Sequence, residues 1–141
     1  MGKVERGARR KGREAALQIL YQMDVSDLSA EDALRAYWTH LGGAKEAESF
    51  ANQLVRGVET HRKRIDETIR QVSHHWRLER MARVDRNILR LATFELLEMG
   101  DIPRRVTLNE AIELAKRFGS EGSSGFVNGV LDRIASDLGK G

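Results

Sequence analysis

The chain has 141 residues, the length of one domain, and can bury about 70% of its unfolded surface. Its 40% apolar and 32% charged content is that of a folded protein rather than a disordered one. It has no cysteine, which excludes disulfides, thiolate metal sites and cysteine nucleophiles. No apolar run approaches the roughly 18 residues of a membrane span, and no apolar leader core follows the basic start, so an intracellular, soluble, cytoplasmic protein is expected.

The net charge of +3 conceals a polarised chain. Residues 1–13 carry Lys3, Arg6, Arg9, Arg10, Lys11 and Arg13 against Glu5 alone, and residues 61–90 carry nine cations against four acids. The remainder is therefore acidic, which points to one surface for a polyanion and another for a different partner. The 61–90 stretch also reads as an ordinary solvated helix face; the N-terminal cluster is the stronger polyanion signal.

In chain order, the first helix begins inside the basic cluster and runs to about Asp24, with Ala16, Leu17, Leu20 and Met23 toward a core. Ser29, three residues before Asp32, has the spacing of a helix cap. Ala33, Leu34, Tyr37, Trp38 and Leu41 then form a buried stripe, which Gly42-Gly43 ends. From Ala44 to about Val72 the pattern is long enough for two helices, divided between Thr60 and Arg64. Val84 to Met99 is apolar on almost every side, as in a central, surrounded helix, and Gly100 and Pro103 end it.

Thr107-Leu108-Asn109-Glu110 has capping-box spacing, and Leu108, Ala111, Ile112, Ala115 and Phe118 follow on one face up to Gly119. A Gly/Ser-rich turn leads to a last helix that buries Phe126, Val127, Val130, Leu131, Ile134 and Leu138, before a frayed tail over 139–141. No strand pattern competes. The expectation is an all-α compact bundle of about seven helices in one domain over 1–141, with 1–8 a flexible basic extension.

Catalytic chemistry is not visible. Of His40, His61, His74 and His75, the adjacent pair points about 100° apart on a helix and does not make the i, i+4 pair of a zinc helix. No strand precedes a glycine-rich phosphate loop, so neither metal nor cofactor is expected. Gly119, Gly122, Gly125 and Gly129 read as caps and a tight turn, a role compatible with cradling an anion. Asp85 and Glu95 read as members of ion pairs with nearby arginines. What remains is the arginine-rich start, whose fork-shaped donors match phosphate oxygens, with Tyr21 and Phe118 either stacking on bases or packed in the core.

The run RRKGREAALQILYQMD resembles the start of NusB-family proteins, and WRLERMARVDRNILRLATFELL is similar to their central helices. DIPRRVTLNEAIELAKRFGSE and FVNGVLDRIA resemble their last two helices and the intervening turn, so the likeness spans essentially the whole chain. The resemblance implies two small helical subdomains and no catalytic activity. It implies binding to the boxA element of nascent ribosomal RNA transcripts together with the ribosomal protein NusE, so that RNA polymerase reads through terminators.

Carried over, the RNA side comprises Arg9, Arg10, Lys11, Arg13 and Gln18, with Phe118, Ser123, Phe126 and Asn128 around the last turn. The NusE side comprises Tyr21, Glu79 and Asp85, acidic where a ribosomal protein is basic. The chain departs from the family at Gly122 and Gly125, where an acid and a lysine are common, and at Gly12, where alanine is common. Two other readings stay open: an RNA-binding module associated with ribosomal RNA methylation, and a helical interaction protein that forms a homodimer.

Overall fold

A computed structural model describes residues 3–40 and 45–139, with side chains described from Gly7 onward. Among these residues there are seven α-helices and no strands. The expected stop at Gly42-Gly43, the side chains of Lys3 and Arg6, and the last two residues of the tail lie outside the described residues. The chain divides into two compact units at Thr60/His61, inside the window where the periodicity predicts a break.

The first unit contains α1 (Lys3–Ser26), α2 (Ala30–His40) and α3 (Lys45–Thr60). Helix α1 starts at Lys3, inside the segment set apart above as an extension, and buries Ala16, Leu17, Ile19, Leu20 and Met23. It ends where Asp27 takes a left-handed φ of 56°, a conformation that Asp tolerates better than most residues, and donates its N–H to the Met23 carbonyl at 2.8 Å. The expected cap of α2 is present: the Ser29 hydroxyl accepts the Asp32 N–H at 3.2 Å.

Helix α3 is the main partner of α1, and Gly12 sits at their contact. A Cβ there would come within 3.0 Å of the Phe50 ring and 3.1 Å of the Ala47 carbonyl oxygen. The glycine thus lets the two backbones approach closely. Helix α2 is tied to α3 by Trp38 Nε1 donating to Asn52 Oδ1 at 2.8 Å and by a forked Arg56–Glu31 pair with both bonds at 2.9 Å.

The second unit contains α4 (Arg62–Val72), α5 (Arg83–Glu98), α6 (Arg104–Phe118) and α7 (Ser123–Asp137), with a 3-10 turn at Leu78–Arg80 that the periodicity does not reveal. Every residue of α5 from Asn87 to Leu96 is buried, as its nearly continuous apolar pattern predicts. Two of its charged members pair with other helices, whereas the buried Thr93 hydroxyl has no hydrogen-bond partner. Arg90 forks onto Asp66 of α4 at 2.8 and 3.1 Å, and Glu95 accepts the Thr107 hydroxyl at 3.0 Å.

That last bond corrects the capping-box expectation. Helix α6 begins three residues earlier, at Arg104 behind Pro103, so Thr107 lies inside the helix and turns its hydroxyl to α5. Pro103 already supplies the helix entry, because its fixed φ suits the first turn and its missing N–H is not needed there. Among the described residues, no helix is long and apolar enough to cross a membrane.

Candidate nucleic-acid interface

The basic residues of α1 fall on different faces because the helix turns 100° per residue. Lys11 and Gln18 are exposed and seven positions apart, and Tyr21 follows three positions later at 39% exposure. These three therefore form one solvent-facing stripe, with Arg10 exposed beside it. Arg9 is half-buried, its guanidinium 4.8 Å from the centroid of the Phe50 ring.

Arg13 does not share the exposure expected of it. Only 4% of its surface is open, and its guanidinium lies 5.2 Å from the centroid of the same ring. The physical reason is its register: Arg13 precedes Ala16, Leu17 and Leu20 by three, four and seven positions, so it lies on the face that packs on α3. Its place over the Phe50 ring helps offset the burial of its charge.

The other expected RNA residues belong to the second unit. Phe118 is half-buried, with the Arg117 guanidinium 5.2 Å from its ring centroid. Asn128 is exposed. Phe126 meets the Trp76 ring edge-to-face, centroids 5.8 Å apart. Ser123 is not available as a surface contact: it is buried, and its hydroxyl accepts the Ser120 N–H at 3.0 Å. Its bond closes the turn before α7. Gly122 in that turn has φ 90°, a left-handed value that glycine adopts without the penalty of a Cβ.

The residues expected on the protein-partner side are placed differently from one another. Glu79 is exposed and accepts a 2.7 Å bond from Arg70, which holds its carboxyl below the usual glutamate range. Asp85 occupies the first turn of α5, where the helix dipole favours a carboxylate. Its Oδ1 is enclosed without a hydrogen-bond partner. The described residues contain no cluster of three or more His, Asp or Glu placed to hold a metal.

The NusB family model matches residues 10–136. The chain belongs to the NusB family. NusB of Myxococcus xanthus, a transcription antitermination protein, is 51% identical over 138 residues, covering 95% of this chain and 99% of that one. Among solved structures, Thermotoga maritima NusB superposes with a TM-score of 0.84 at 43% identity, covering 92% and 91% of the two chains. A structure of antitermination factors NusB and NusE in complex with double-stranded RNA is 27% identical, with a TM-score of 0.84 and coverage of 92% and 97%. NusB relatives are thus factors of transcription, not enzymes, and the all-helical fold of this NusB-family chain matches theirs.

Proposed function

We propose that the protein binds boxA-type single-stranded RNA in nascent ribosomal RNA transcripts together with NusE, and so helps RNA polymerase pass terminators in the cytoplasm. The observation that carries this reading is the likeness, over nearly the full length of both chains, to a factor solved with NusE and RNA. The exposed Arg10, Lys11 and Gln18 supply donors for phosphates and base edges, and Phe126 and Asn128 supply an aromatic face and an amide in the second unit. For NusE, the residues carried over are Tyr21 in the first unit and Glu79 and Asp85 in the second. Val25, exposed four positions after Tyr21 on the same helix, extends that stripe with apolar surface.

The RNA in the related complex is double-stranded, so strand preference belongs in the test. Fluorescence anisotropy is measured with a labelled boxA RNA, a scrambled RNA and a duplex of the same sequence, each with and without NusE. The reading predicts salt-sensitive binding, tightest for single-stranded boxA with NusE present. Equal binding of the scrambled strand in the ternary mixture would overturn the sequence-specific part. Light scattering on the same samples reports whether a second copy of the chain, rather than NusE, covers the Tyr21 stripe.

A further inference from the structure

Trp76 is 63% exposed, more than any other large apolar side chain among the described residues. A tryptophan carries a large apolar area that folding normally removes from water. Here it stands outside the helices, in the segment between α4 and the 3-10 turn, where its backbone N–H donates to the Ser73 carbonyl at 2.9 Å. Burial of Leu78 two residues later already anchors this connection in the unit. Packing therefore does not account for an indole at this position.

The ring nevertheless has an aromatic neighbour. It stands at 75° to the Phe126 ring, so Phe126 in the first turn of α7 supports its edge and leaves much of its surface open. The neighbours in sequence are His74, His75 and Arg77, all exposed and all carrying hydrogen-bond donors. An open aromatic surface, held by a second ring and flanked by cationic and donor groups, is the arrangement on which unpaired bases stack while adjacent phosphates are neutralised.

We infer that Trp76 is a base-stacking platform for single-stranded RNA, built jointly with Phe126. The inference rests on the RNA-binding reading and extends it to a residue that neither the charge pattern nor the family motif assigned. Arg77 supplies the complementary charge for the phosphate beside the stacked base.

The chain has one other tryptophan, Trp38, which is half-buried and hydrogen-bonded to Asn52. In Trp38→Phe protein, indole fluorescence then reports Trp76 alone. Titration with boxA RNA in the presence of unlabelled NusE, after correction for any change NusE alone causes, is expected to quench that emission. Trp76→Ala is expected to weaken RNA binding about 5- to 150-fold, the range for losing one base–aromatic stack. Trp76→Phe restores most of the affinity, and circular dichroism of both variants shows unchanged helix content.

Unquenched emission, with Trp76→Ala protein binding RNA as tightly as the parent, would overturn the platform and leave the RNA-binding function standing. Quenching by NusE alone, with none added by RNA, would also overturn it and assign the ring to the protein partner. Failure of the parent protein to bind any RNA, with or without NusE, would overturn both the platform and the function beneath it.

Discussion

Thr107 and Glu95 show how much a single polar contact decides inside the second unit. Glu95 is 1% exposed, and the Thr107 hydroxyl that bonds it is equally enclosed. Replacing Thr107 by valine keeps the volume but removes the donor. The expected loss is about 1–3 kcal/mol of unfolding free energy, the range for stripping a partner from a buried polar group. Urea denaturation of Thr107→Val against the parent measures it, and an unchanged midpoint would contradict the assigned bond. On the surface, the Arg70–Glu79 bond means that a protein partner recruiting Glu79 must compete with an arginine already in place. Arg13 carries the same lesson for the RNA face, since its charge is committed to Phe50 before any ligand arrives.

At the scale of elements, the turn into α7 is the most constrained connection. Gly122 at φ 90° caps the helix, whereas Gly125 lies within it with open space where a Cβ would project. Alanine should therefore act oppositely at the two sites. Gly122→Ala costs about 1–2 kcal/mol for a left-handed alanine, whereas Gly125→Ala gains up to about 1 kcal/mol of helix propensity. Thermal melts of the two variants check the opposite signs. If both shift the same way, the cap geometry is wrong.

The helices themselves were legible because apolar residues recur every three to four positions, and the break at His61 was legible because the α3–α4 pattern is too long for one helix. The start of α6 was not: Thr107 and Glu110 mimic a capping box, and only the tertiary partner Glu95 reveals the hydroxyl's use. The turn at Leu78–Arg80 is too short to carry a period. The burial of Arg13 follows from its register on α1, which its charge alone does not reveal, and Trp76, an apolar residue between helices, fits no stripe.

At the scale of the whole molecule, charge and chemistry are distributed over two units. The first holds the stripe of Lys11, Gln18 and Tyr21 with Arg10 beside it, and the second holds Trp76, Phe126 and Asn128. Family membership fixes the class of the protein, and the positions of these side chains say which of them are open to a nucleic acid. Variants in each unit therefore probe the interface separately.

The exposed Arg10 and Lys11 of α1, with the half-buried Arg9, are expected to hold RNA through its phosphates. This expectation is tested most directly by the salt dependence of boxA RNA binding in a triple variant, Arg9→Ala, Arg10→Ala and Lys11→Ala, with NusE present. Each phosphate contact to a single strand contributes a slope of about −0.7 to the logarithm of affinity against that of salt concentration. The triple variant should bind more weakly at low salt, with a slope shallower by about 2 if all three cations contact phosphates. Unchanged affinity and slope, with unchanged helix content, would contradict the account and move the RNA surface away from α1.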